Sequence, residues 1–288
     1  MKILITGGAG FAAGHLRREL MTAGHSVVLT DVVESLHPDC RCVDLADRDA
    51  VRNLIAEVRP DAVAHLGAIS FVPEAAKDPG LLERVNVGGT ENLLRAMVEV
   101  GIPRRERDLP TFLFVSTAQV YNTPLSAYAK SKLSAEAVVR HYCHEGVDSV
   151  IARPANHTGP GQSPKFVVSS FVNQAKEIKS GRREKFVVGN LESVRDFTDV
   201  RDVVKAYRLL LEQGVAGRVY TIGSNCRLKI GELLQLIAEQ AGVSSAADVD
   251  PKLWRPTDAS KELDVSLVTE LGWKAEIPIR QTLHDMML

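Results

Sequence analysis

Tyr128 stands four positions before Lys132, and a hydroxyl pair, Ser116–Thr117, lies shortly upstream. Residues at i and i+4 share one face of a helix. An ammonium close to a phenol favours the phenolate and lowers the phenol pKa. A tyrosine so placed can give a proton to the oxygen of a hydroxyl or carbonyl, or take one from it. A hydroxyl from Thr117 or Ser116 can hold the same oxygen. A Tyr and a Lys at this spacing are most often structural, so the pair becomes a site only if a redox partner is bound beside it.

The N-terminal stretch offers a place for one. Ile3-Leu4-Ile5 reads as a buried strand, followed by the turn Thr6-Gly7-Gly8-Ala9-Gly10-Phe11-Ala12-Ala13-Gly14. Gly7 suits a tight turn, Gly10 lets the backbone approach a pyrophosphate, and Ala13 is small enough for close helix–sheet packing. Phe11 and Ala12 open the following helix, whose N–H groups and dipole favour phosphate. Asp31 ends the next strand, where a carboxylate accepts from both ribose hydroxyls. That carboxylate repels a 2′-phosphate and no Arg directly follows it, so NAD(H) is favoured and NADP(H) is the alternative. Asp44 and Leu45 close a further strand-like stretch and are candidates for holding adenine. His65-Leu66-Gly67-Ala68 ends a later strand beside the expected pyrophosphate, with Leu66, Gly67 and Ala68 as candidate cofactor contacts.

These groups need a scaffold of alternating strands and helices. Helices are expected over 15–23, 47–58, 87–100 and 126–144, with strands at 27–30, 62–66, 111–115 and 150–152. The pattern is that of an α/β protein with a doubly wound parallel Rossmann sheet. After Arg153-Pro154 the pattern loosens: 155–170 is rich in Gly, Pro, Asn and Ser. Further helices are expected near 170–180, 200–213 and 230–241, with a strand at 218–222 and a Pro- and Trp-containing tail. The expected division is a dinucleotide-binding domain over 1–154 and a smaller substrate-binding region over 155–288, partly interleaved with it.

The bulk properties narrow the classes. The net charge is −1 with no long basic run, so neither nucleic acid nor an anionic membrane is the expected partner. The Arg104-Arg105-Glu106-Arg107 cluster reads as a solvated loop. Cys40 and Cys42 are too close for an ordinary disulfide, and no Cys or His pair at zinc spacing follows them. No metal is expected. The opening MKILITGG reads as strand and turn rather than a cleavable leader, and no apolar run approaches a membrane span of ~20 residues. The cytoplasm is the expected compartment.

ITGGAGFAAGHL at 5–16, NVGGTENLL at 86–94, STAQVY at 116–121 and YAKSK at 128–132 together resemble the extended short-chain dehydrogenase/reductases that act on nucleotide sugars. RPANHTGPGQ at 153–162, GNLESVRDFTDVRD at 189–202 and LWRPTD at 253–258 resemble the GDP-4-keto-6-deoxy-mannose reductases, relatives of the GDP-mannose 4,6-dehydratases. The resemblance implies a catalytic triad of Thr117, Tyr128 and Lys132, with Lys132 also on the nicotinamide ribose and Arg153 at the cofactor. It implies a GDP-sugar site with Ser116 and Asn156, and with Arg195 and Arg255 on the diphosphate. Arginine forks suit phosphate oxygens; the bland alternative for Arg195 is an ion pair with Asp196 or Asp199. His157 reads as a structural hydrogen-bonder. A homodimer through the helices at 87–100 and 128–144 is also implied, although Leu93, Ala96, Met97, Ala137 and Val138 could equally face an internal core.

Within this group the residues after Thr117 set the reaction. A 4,6-dehydratase needs a further acid/base, typically a carboxylate just after the catalytic Thr; here the next two residues are Ala118 and Gln119. Glu136 lies too far along the helix to substitute. The expectation is therefore NAD(P)H-dependent reduction at C4 of a GDP-4-keto-6-deoxyhexose, giving a GDP-6-deoxyhexose such as GDP-rhamnose. A nucleotide-sugar 4-epimerase is the runner-up, ahead of a dehydratase or a non-catalytic dinucleotide sensor. Only six residues separate Tyr121 from Tyr128, a shorter loop than the family generally has, which suits an opened pocket and a larger or differently substituted sugar.

Overall fold

The computed structural model describes residues 1–33, 40–70, 79–102, 109–254 and 261–288. The Arg104-Arg105-Glu106-Arg107 cluster and Arg255 lie outside the described residues. The chain resolves into two compact units. The first comprises Met1–Pro154, Val204–Ile222 and Val265–Trp273; the second comprises Ala155–Val203, Gly223–Asp264 and Lys274–Leu288.

In the first unit the apolar runs become strands covered on both faces, which is why they do not alternate. The elements are β1 (Lys2–Thr6), α1 (Phe11–Thr22), β2 (Ser26–Asp31), β3 (Cys40–Cys42), α2 (Arg48–Val58) and β4 (Ala62–His65). A short turn, Pro79–Leu82, and a π-helical segment, Glu83–Gly88, lead into α3 (Gly89–Val100). Then come β5 (Phe112–Val115), α4 (Ala127–His144) and β6 (Ser149–Pro154). Local chemistry sets several ends. Asp47 caps α2 by accepting from the Asp49 and Ala50 amides, and Ser126 caps α4 by accepting from Ala129.

All seven strands of the main sheet run parallel, in the order β10-β6-β5-β4-β1-β2-β3, where β10 is Val219–Ile222. The chain winds outward from β1 to β3, returns to β4, and then winds the other way. The carboxyl ends of β1 and β4 therefore flank the switch point, where open α/β sheets place their ligands. Leu93, Ala96 and Met97 point into this unit's core, Val138 packs against it, and Ala137 on α4 is exposed.

The second unit holds more strand than the sequence pattern signals. Its sheet runs β11-β9-β7, with β7 at Asn156–Thr158, β9 at Val194–Asp199 and β11 at Arg227–Lys229. A second pair joins β8 (Phe186–Val188) to β12 (Ala247–Val249). Its core packs residues of α5 (Val167–Lys179), α7 (Ile230–Ala241) and α9 (Ile279–Met287). Helix α6 (Val200–Gln213) is divided between the two units, and α8 (Ser266–Glu270) belongs to the first. Two expectations shift here. Helix α1 begins at Phe11 rather than His15, because Gly14 continues the helix through its amide to Gly10 O (3.3 Å). The Pro- and Trp-containing tail, for which no element is expected, carries two helices.

Candidate active site

The turn after β1 is pressed against the turn after β4. Gly7 has φ +70°, and a Cβ there would lie 2.8 Å from Gly67 N and 2.9 Å from Gly67 Cα. Only glycine satisfies both the left-handed backbone and that approach. A Cβ on Gly10 would lie 2.9 Å from Gly7 O. No side chain caps α1 and its first turn holds no acid, so Phe11 and Ala12 sit at an unneutralised positive dipole end. Asp31 does more than end β2. Its Oδ2 accepts from the Ala9 amide (3.0 Å) and its Oδ1 from the Val32 amide (2.7 Å), so the carboxylate that could meet a ribose also ties down the glycine turn. Leu45 is buried beside both Gly67 and Gly89, while Asp44 Oδ1 accepts from the Ala46 amide (2.9 Å). Leu66, Gly67 and Ala68 come directly after β4, at the switch point.

A buried polar chain leads from this turn toward α4. The Gly67 amide donates to Thr6 Oγ1 (3.0 Å), Thr6 Oγ1 meets His65 Nδ1 (2.7 Å), and His65 Nε2 meets Thr90 Oγ1 (2.9 Å). Thr90 Oγ1 donates to Asn86 O (2.7 Å). Thr90 spends its one proton on Asn86 O, so it accepts from His65 Nε2–H. Burial keeps the second ring nitrogen unprotonated, so Nδ1 accepts from the Thr6 hydroxyl. Burial first, and the Lys132 charge second, push the His65 pKa down from 6.5 to about 3. Asn86 Nδ2 continues the chain to Ser131 Oγ (3.0 Å), which donates to Tyr128 O (2.8 Å). Sequence reading assigns Thr90 and Asn86 no role and places His65 only at the strand end beside the expected pyrophosphate; a histidine inside an otherwise apolar strand is the available signal for the buried chain.

Tyr128 and Lys132 share the buried face of α4, 9% and 2% exposed. Tyr128 packs with Leu82, Ile69 and Ala127. Burial holds its phenol well above the usual tyrosine range. The expected lowering by Lys132 is outweighed, because desolvation disfavours the phenolate. Lys132 Nζ donates to Val115 O (2.8 Å) and lies 4.9 Å from the Phe114 ring centroid. Burial pulls the ammonium down from 10.5 to about 7, against an upward pull from Glu136. Thr117 is buried at the end of β5; its Oγ1 accepts from the Gln119 amide (3.2 Å), which leaves its hydroxyl proton to donate elsewhere.

Two neighbours meet at one carboxylate. Ser116 is buried and gives its proton to Glu136 Oε1 (2.6 Å). The Arg153 guanidinium grips the same carboxylate with Nε at 2.9 Å and Nη2 at 2.6 Å, so its charge is neutralised inside the protein. Its Cζ lies 5.1 Å from the Tyr121 ring centroid, and Tyr121 Oη meets Thr221 Oγ1 at 2.8 Å. Glu136 is the hub of these contacts, reached by Ser116 and Arg153 from outside α4.

In the second unit, Asn156 and Arg195 lie on the paired strands β7 and β9, and Asn156 Nδ2 donates to Asp196 O (3.5 Å). Arg195 Nη1 donates to Val194 O (2.9 Å), whereas Asp199 pairs with Arg201 (2.7 Å) and Asp196 accepts from Thr198, Ser224 and Asn225. His157 Nδ1 meets Ala155 O (3.2 Å). Among the described residues there is no cluster of metal-ligating side chains and no helix long and apolar enough to cross a membrane.

The fold that carries these groups is shared with known proteins. The GDP-mannose 4,6 dehydratase family model matches residues 4–286. The chain belongs to this family. It is 34% identical to the GDP-6-deoxy-D-mannose reductase of Pseudomonas aeruginosa, over 99% of this chain and 96% of that protein. It is 31% identical to the GDP-6-deoxy-D-talose 4-dehydrogenase of Aggregatibacter actinomycetemcomitans, over 83% of this chain and 80% of that one. Among solved structures, RMD from Pseudomonas aeruginosa complexed with NADPH superposes with a TM-score of 0.85 at 34% identity, covering 99% and 97% of the two chains. The UDP-glucose 4-epimerase of Thermus thermophilus in complex with NAD gives a TM-score of 0.85 at 28% identity, covering 99% of each chain.

Proposed function

We propose that this family member reduces the C4 keto group of a GDP-4-keto-6-deoxyhexose to a GDP-6-deoxyhexose, using a nicotinamide dinucleotide, with NADH favoured over NADPH by the Asp31 carboxylate. The observation that carries the reading is the loop after β5: Thr117 is followed by Ala118 and Gln119, so a Tyr–Lys proton-transfer pair stands without the additional acid/base that dehydration requires. The full-length similarity to a GDP-6-deoxy-D-mannose reductase supports the same reaction and the GDP moiety.

The residues fit the cofactor. Gly7, Gly10, Phe11 and Ala12 would receive the pyrophosphate, Asp31 the adenosine ribose, Asp44 and Leu45 the adenine, and Lys132 the nicotinamide ribose. When bound, the reduced dinucleotide supplies the hydride for C4. The chain's own part is the proton. Burial keeps the Tyr128 phenol protonated until an alkoxide forms beside it, which suits a general acid in a reductase. Thr117 donates to and orients the reacting oxygen, and Lys132 supplies positive charge to the phenol as its proton leaves. Asn156, Arg195 and Arg255 would hold the sugar nucleotide, with the arginines on the diphosphate. The protein would act in the cytoplasm as a homodimer through α3 and α4, where Val98 and Ala137 are exposed.

A 4-epimerase is the second reading, favoured by the Thermus thermophilus likeness and by the same missing carboxylate. The test is NADH oxidation with GDP-4-keto-6-deoxy-mannose beside the UDP- and dTDP-4-keto-6-deoxy sugars, with products identified by NMR. Oxidation with the GDP compound alone is expected. No oxidation with any of them, while NAD still binds, would move the assignment to epimerisation.

A further inference from the structure

Glu136 is a buried carboxylate that the proposed proton transfer does not use directly. It is 2% exposed, and both oxygens are engaged by groups on different strands. Oε1 accepts from Ser116 on the residue before Thr117 (2.6 Å) and from Arg153 Nε on β6 (2.9 Å), while Oε2 accepts from Arg153 Nη2 (2.6 Å). Arg153 in turn stacks on Tyr121, which ends the short helical turn Ala118–Tyr121 after Thr117. The loop that carries Thr117 is thus gripped at both ends from one carboxylate. That carboxylate sits one helical turn beyond Lys132 on the helix that carries Tyr128.

We propose that Glu136 is a positioning residue for the proton-transfer site: it fixes the Thr117 loop against α4 through Ser116 and Arg153, and, buried one turn beyond Lys132, it places an opposite charge on the lysine's own face of the helix. The inference rests on the reading of Tyr128 and Lys132 as that site. Few charges compete for control of Lys132. Tyr128 on α4 is neutral, and His65 on β4 is neutral and locked by Thr6 and Thr90. Tyr207 on α6, electrostatically linked to Tyr128, is neutral as well. Arg153 on β6 is positive and is paired with Glu136, and Arg140 reaches Glu136 Oε2 only at 3.8 Å from a half-exposed position. Among the described residues, Glu136 is the carboxylate that pulls Lys132 toward its charged form.

The test uses full-length protein carrying 13Cε-labelled lysine, with the Lys132 resonance assigned from a Lys132→Met sample. Wild-type Lys132 should titrate near 7. In Glu136→Gln its midpoint should fall by about one pH unit or more, the scale of losing one close opposite charge. The basic limb of the kcat profile should move down with it, with KM within about twofold. Ser116→Ala removes the loop contact and keeps the charge. It should lower kcat about tenfold, the equivalent of one lost buried hydrogen bond, and leave the Lys132 midpoint in place. An unmoved midpoint in Glu136→Gln overturns the electrostatic role, and unchanged kcat in Ser116→Ala overturns the positioning role. Circular dichroism checks that each variant folds, and the NMR midpoint is read whether or not turnover occurs. Absent turnover in the wild type counts against the functional reading and leaves the Lys132 result standing on its own.

Discussion

Replacing His65 with glutamine keeps one donor and one acceptor in the middle of the buried polar chain but removes its only titrating member. In the folded protein His65 is held neutral, its pKa depressed from 6.5 to about 3 by burial and by Lys132. Proton uptake sets the sign. Above the unfolded value neither state binds the proton. Below it the unfolded chain does and the native protein does not, so stability falls with falling pH until the folded pKa is reached. The window therefore runs from about pH 6.5 down to about pH 3. Integrating from pH 7 to pH 5 gives a loss of about 2 kcal/mol from this one group. Lys132 titrates at the top of this interval in both proteins, so its contribution largely cancels in the comparison. Urea unfolding of wild type and His65→Gln at pH 7 and pH 5 reads the difference directly. Wild type should lose about 2 kcal/mol more than the variant over that interval, even though the variant starts less stable. Parallel losses in the two proteins would refute the claim that a neutral His65 anchors the chain from Gly67 to Asn86.

Gly7→Ala places a Cβ 2.8 Å from the Gly67 amide nitrogen at φ +70°, so NADH affinity by fluorescence titration should fall at least about tenfold. Asp31→Asn keeps an acceptor for the Ala9 amide and removes the charge facing a 2′-phosphate. The NADPH to NADH ratio of kcat/KM should rise about tenfold or more, about 1.4 kcal/mol, in steady-state assays. An unchanged ratio would mean that Asp31 serves only the turn.

The first unit was legible because its strands are covered on both faces and its turn chemistry is local. Ile3-Leu4-Ile5 reads as a buried strand, and the glycines after it have one structural solution. The second unit was less so. Strand β9 reads VRDFTD, and its acids would ordinarily argue against a buried strand. They are tolerated because Asp196 accepts from Thr198, Ser224 and Asn225, while Asp199 is paired with Arg201 and Thr282. Thr198 and Arg201 are two residues away, but Ser224, Asn225 and Thr282 are distant in sequence and meet these acids only in the assembled fold. The same reason hid the work of Glu136. Its spacing from Lys132 was visible, but Ser116 and Arg153 meet it only when β5, α4 and β6 are assembled. Tyr128, Lys132 and Thr117 were legible as types and spacings. Their protonation was not, because burial rather than the neighbouring charge decides the phenol.

The central claim is that the Tyr128 phenol delivers the proton during reduction at C4. Single-turnover oxidation of bound NADH by saturating GDP-4-keto-6-deoxy-mannose, compared between wild type and Tyr128→Phe, tests it most directly. The variant should be slower by about 10²-fold or more, the usual scale of general acid catalysis, with affinities for dinucleotide and nucleotide sugar within about twofold. A wild-type rate in Tyr128→Phe would contradict the account.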